Sequence, residues 1–148
     1  MRRILGLDVG ERRIGVALSD PLGLTAGPLT VLKRRTLEAD LEELQRLVIR
    51  HDVGTIIVGL PLTMRGERGP QAQRVTAFGE TVSKRLNVPV TFIDERLTTV
   101  QGERALLEMD TSRRRRKQVI DQVAAQLILQ QFLETQRMKD APHDDPLR

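Results

Sequence analysis

Near its start the chain reads Ile4-Leu5-Gly6-Leu7-Asp8-Val9-Gly10, an apolar strand with a single carboxylate set into it. A strand this poor in polar residues is covered on both faces, which requires a layered domain. Burying a carboxylate without compensation there costs several kcal/mol or forces it to take up a proton. A divalent metal ion or a bound phosphate group is the leading compensation. The plainer alternative is a strand-end Asp bonded to local backbone, to Arg12 or to Arg13.

At 148 residues the chain has the length of one domain with one core. That domain is expected over residues 1–138, with 139–148, which contain Pro142 and Pro146, as a disordered tail. There is no cysteine, and His51 and His143 are the two histidines, so disulfides, Cys-ligated zinc, thiol catalysis and a Ser-His-Asp triad are poor candidates. Carboxylates are left to carry any acid–base or metal chemistry. No apolar stretch approaches the roughly 20 residues of a membrane helix, and the N-terminus lacks a signal-peptide core, so a cytoplasmic protein without membrane attachment is expected. Lys and Arg number 24 against 20 Asp and Glu, and the net charge of +4 points to a polyanionic partner. With no Trp or Tyr and three Phe, base stacking is a weak prospect, and recognition of backbone and shape fits better.

Three strand-like runs open the chain, at 3–9, 13–19 and 28–32, joined by breaks short enough for hairpins. Thr36 is placed to cap a helix on which Leu37, Leu41, Leu44 and Val48 recur at helical spacing, ending near His51. A buried-type strand at 55–58 leads into the loop 62–69, predicted to be mobile, which carries Arg65 and Arg68. Pro70 starts the next helix and Asn87 ends it, followed by a strand at 88–93. A helix at about 99–108, a basic loop over 110–117 and a last helix at about 118–136 complete the reading. Three meandering strands followed by alternating helices and strands predict an α/β layered domain with a mixed sheet. Ligands in such sheets collect at the C-terminal ends of the parallel strands.

Glu95 follows a strand directly, and Asp94 before it points to the opposite side if the strand conformation persists. Asp121 falls between Ile128 and Phe132 on the last helix, flanked by Ala124 and Ala125, on an apolar face fit to dock on the sheet. Asp8, Glu95 and Asp121 together suit one or two Mg²⁺ or Mn²⁺ ions, hard cations that take oxygen ligands. Such ions activate water and hold a phosphodiester for in-line attack. Taken singly, Asp121 is as well explained by a salt bridge to an arginine, and Asp94 or Glu95 by capping at Thr98-Thr99. Arg113, Arg114, Arg115, Arg116 and Lys117 precede Asp121 and suit a phosphate clamp, with a solvated basic loop as the alternative. Arg12, Arg13, Arg65, Arg68 and Arg96 complete the candidate nucleic-acid contacts.

Four segments in order resemble the YqgF/RuvX family, within the RNase H-like superfamily that includes Holliday-junction resolvases. They are Leu7-Asp8-Val9-Gly10 with Arg13-Ile14-Gly15-Val16-Ala17, Val58-Gly59-Leu60-Pro61-Leu62, Asp94-Glu95-Arg96-Leu97-Thr98-Thr99, and Ile120-Asp121 with Ala124-Ala125. The resemblance spans residues 4–133 and implies an RNase H-like fold, a five-stranded sheet in the order 3-2-1-4-5 with strand 2 antiparallel. It also implies metal-dependent phosphodiester hydrolysis with Asp8, Glu95 and Asp121 as the acidic triad and Asp94 as the competitor of Glu95. Family members often carry Lys where Arg12 stands, Asn at Thr63 and an acidic or amide residue at Arg65, which loosens the inference for that loop. Two substrates are implied: precursor 16S ribosomal RNA at its 5′ end, which is favoured, and branched DNA. Junction cutting needs two symmetric sites and hence a homodimer, whereas RNA trimming needs a monomer only. An actin- or sugar-kinase-type ATPase shares the Asp-x-Gly hairpin but normally needs two such domains. A nucleic-acid-binding module without catalysis is the remaining rival.

Overall fold

The computed structural model describes residues 2–97 and 113–140. The helix expected at about 99–108 and the tail 141–148 lie outside the described residues. The elements run β1 (Arg3–Val9), β2 (Arg13–Ser19), β3 (Ala26–Lys33), α1 (Leu37–Arg50), β4 (Val53–Leu60), α2 (Pro70–Leu86), β5 (Val90–Asp94), a 3-10 turn (Glu95–Leu97) and α3 (Arg113–Asp140). The sheet order is β3-β2-β1-β4-β5. Strand β2 runs antiparallel to its neighbours, while β1, β4 and β5 are parallel. This is the mixed sheet that the resemblance implies.

Side-chain alternation sorts each strand between two layers. Leu5, Leu7 and Val9 of β1, with Ile14, Val16 and Leu18 of β2, pack under α1 and α2. The opposite face takes α3, whose Ala124, Ala125, Ile128, Leu129 and Leu133 are buried with Ala17 and Ile57. Each large aliphatic side chain so buried contributes about 1.5–3 kcal/mol. Thr36 caps α1 by accepting from the Ala39 N–H at 3.1 Å. Asn87 ends α2 in the left-handed conformation.

Glycines let α3 lie unusually close to the sheet. A Cβ on Gly15 would stand 2.0 Å from the Asp121 carbonyl oxygen, and one on Gly6 would stand 2.7 Å from the Leu129 Cβ. The basic run departs from expectation: its backbone forms the opening turns of α3 rather than a loop. Arg and Lys are good helix formers, so the helix extends through them despite the missing apolar periodicity.

Candidate active site

Asp8 is the last α3-facing residue of β1, since Gly6 on the same face meets α3 and Leu7 and Val9 lie in the other layer. In the antiparallel register it stands opposite Gly15, so both project to the same side. Gly15 is where the backbone of Asp121 rests. Asp8 and Asp121 are thereby brought to one corner of the helix–sheet interface, at the C-terminal end of β1.

Glu95 arrives from the other side of the sheet. Phe92 packs into the layer of α1 and α2, and Ile93 packs toward α3. Alternation then sends Asp94 away from α3, and Glu95 opens the 3-10 turn beyond the strand end. Glu95 is 4% exposed and Asp8 8%, and both are engaged by neighbouring groups. Two carboxylates buried at the ends of parallel strands are costly placements that plain packing does not require.

Asp94 is occupied differently. Its carboxylate accepts from the Arg96 guanidinium at 2.7 Å and from the Arg96 backbone N–H at 2.9 Å. The guanidinium bond, helped by that N–H, holds the Asp94 carboxyl below the usual carboxylate range. Arg96 also donates to the Met64 carbonyl at 3.3 Å, tying the loop after β4 to the end of β5. That loop is bonded internally as well, with the Thr63 N–H to Glu67 O at 2.9 Å and the Gly66 N–H to Thr63 O at 2.8 Å.

Asp121 Oδ2 accepts from Arg13 Nε at 2.7 Å, in a pair whose side chains are 18% and 31% exposed. Arg13 lies two residues before Gly15 on β2 and so shares its face. Among the described residues, no three His, Cys, Asp or Glu side chains form a group that could hold a metal ion. In this arrangement Asp121 is held by Arg13. The donor set is nevertheless all oxygen, which suits Mg²⁺ or Mn²⁺, and Mg²⁺ is commonly held by one or two carboxylates with substrate phosphates completing its shell.

Of the cationic candidates, Arg13 and Arg96 are committed to Asp121 and Asp94. Arg12, Arg65 and Arg68 are exposed and make no ion pair among the described residues. The Arg13–Asp121 pair joins residues 108 positions apart, and nothing local in the sequence announces which of the neighbouring arginines takes the acid. No helix among the described residues is long and apolar enough to cross a membrane.

A family model described as "RuvX: Holliday junction resolvase" matches residues 2–135. A relative from Moorella thermoacetica, named for pre-16S rRNA nuclease activity, is 58% identical over 132 residues, 89% of this chain and 94% of its own. A relative of the same name from Clostridium acetobutylicum is 50% identical over 131 residues, 88% of this chain and 97% of its own. Among solved structures, T. thermophilus RuvC in complex with a Holliday junction superposes with a TM-score of 0.58 at 14% identity, covering 92% of this chain and 96% of that one. That likeness establishes a shared RNase H-like fold.

Proposed function

We propose that this chain, which belongs to the RuvX family, is a nuclease hydrolysing phosphodiester bonds in the 5′-end processing of precursor 16S ribosomal RNA. The observation that carries the reading is the pair of buried carboxylates, Asp8 and Glu95, at the C-terminal ends of β1 and β5. Asp8, Glu95 and Asp121 are the proposed acidic residues, with Mg²⁺ or Mn²⁺ as the cofactor. Asp8 and Glu95 would hold the cation, and Asp121 would join them on leaving Arg13. When bound, the cation supplies an activated water and stabilises the leaving oxygen. Arg13 orients Asp121, and Arg96 keeps Asp94 out of the carboxylate pair while fixing the loop after β4. Arg12, Arg65, Arg68 and the run Arg113, Arg114, Arg115, Arg116 and Lys117 are the proposed contacts to the phosphate backbone, with the cytoplasm as the compartment.

Cleavage of branched DNA is the second reading, supported by the description of the matching family model. A side-by-side assay separates the two: purified protein on precursor ribosomal RNA, linear duplex and four-way junction, with and without Mn²⁺. Ribosomal RNA is expected to be cut and the junction to be left intact. Asp8→Asn is expected to lower the cleavage rate by about 10²–10³-fold while nucleic-acid binding persists. Full activity in that variant would refute the proposed site, and ATP hydrolysis without nucleic acid would favour a kinase-like activity.

A further inference from the structure

On the face of the sheet turned away from Asp8, a cleft of about 680 Å³ opens at the C-terminal end of β1. The turn after β1 brings Arg12 to it, the segment between β3 and α1 brings Arg34 and Arg35, and the opening turns of α2 bring Arg74. Among the described residues, two lining acids, Glu11 and Asp40, stand against these four cations. Lys33 touches the same rim, but it stands opposite Arg13 in the β2–β3 register, on the side that faces α3. Val9 and Val75 give the cleft an apolar floor.

The four arginines are not equally committed. Arg34 is fixed: it donates to the Gly10 carbonyl at 2.8 Å, lies 3.5 Å from the buried Asp40 and sits 4.8 Å over the Phe78 ring. Arg74 pairs with Glu11 at 3.6 Å, both side chains exposed, and Arg35 lies 3.8 Å from a half-buried Glu43 that Arg46 also holds. Such long surface pairs hold weakly and yield to a better anion. Arg12 makes no ion pair among the described residues. A phosphate, which accepts the guanidinium fork bidentately, is the anion these groups suit. Among the described residues no aromatic ring lines the cleft, so none of them offers a base a ring to stack on there.

We propose that this cleft binds a backbone phosphate of the nucleic-acid strand close to the one that reaches the carboxylates. The inference rests on the nuclease reading and extends it to the second layer of the fold. Gly10 lies two residues beyond Asp8, about 7 Å at strand spacing, so a polynucleotide crossing the end of β1 reaches both faces. None of Arg34, Arg35 and Arg74 stands out in the sequence, because only the fold gathers them.

The test is equilibrium binding of a single-stranded RNA oligonucleotide in chelating buffer, so that cleavage plays no part. Arg12→Gln combined with Arg74→Gln should weaken binding about tenfold at low salt and reduce the salt slope by about one to two. Glu11→Gln, which releases Arg74, should tighten binding about two- to fivefold. A neutral methylphosphonate walked along the oligonucleotide should weaken wild-type binding at one internal position and leave the double variant indifferent there. Identical methylphosphonate profiles in the two proteins, or no tightening by Glu11→Gln, would overturn the proposal. Inorganic phosphate or a 5′-mononucleotide binding as tightly as the oligonucleotide would make the cleft a small-anion site and overturn it too. RNA bound through the cleft but never cut would sink the nuclease reading alone. RNA cut with a cleft-indifferent profile would sink this proposal alone.

Discussion

Gly15 carries more of the site than its size suggests. It stands opposite Asp8, and the Asp121 backbone lies where its side chain would be. A methyl group there meets a carbonyl oxygen at 2.0 Å, an obstacle that no rotamer change removes. Gly15→Ala should therefore destabilise by about 3 kcal/mol, at the upper end of overpacking costs, read from urea denaturation. Gly27→Ala, with nothing among the described residues within 4 Å of the added atom, should be neutral or slightly stabilising in the same assay. Equal effects would mean that α3 does not bear on Gly15. Asp94 gives the fold a pH dependence. Its folded pKa is depressed by Arg96, so the pair's contribution is present above the usual carboxylate range and is lost as pH falls through the depressed value. The Asp94 carboxyl followed by NMR should titrate below the usual range, and Arg96→Gln should return it upward. An unmoved midpoint in Arg96→Gln would remove Arg96 as the cause.

At the scale of elements, α3 decides how the sheet and the basic run are related. The run Arg113, Arg114, Arg115, Arg116 occupies its opening turns, so the positions that precede Asp121 share one helix with it. Replacing the four arginines with Ala should weaken nucleic-acid binding across sequences and flatten its dependence on salt, while the helix persists because Ala is the best helix former. An unchanged slope in a salt titration would reduce the run to a solvated surface. The apolar stripe of this helix was legible in the sequence, since Ala124, Ala125, Ile128 and Leu129 repeat at helical spacing and all four are buried. Its start was not, because a charge run carries no periodicity and reads as loop. That Glu95 follows a strand directly was legible in the apolar run before it, but its direction was not, because the strand ends at Asp94 and Glu95 opens a 3-10 turn to which strand alternation does not apply. The partner of Asp121 did not, because a salt bridge across 108 residues depends on which strand the helix lands on.

For the whole molecule, the sheet order has a consequence for substrate choice. Order β3-β2-β1-β4-β5 sets β1 between β2 and β4, so the Asp8 end of β1 is flanked by the β2 hairpin and by β4. That order was legible only through the family resemblance, since hairpin length and helix spacing allow other ways of adding β4 and β5. The proposed acids, Asp8, Glu95 and Asp121, all come from one copy of the chain, so trimming an RNA end requires nothing from a second copy. A four-way junction cut symmetrically requires two sites, and a homodimer to present them. Initial rates on precursor ribosomal RNA should therefore rise linearly with protein concentration, in a range where sedimentation shows a single mass. A rate rising with the square of concentration, in step with dimer formation, would mean that the reacting species is a pair of chains. Branched DNA would then become the better substrate assignment.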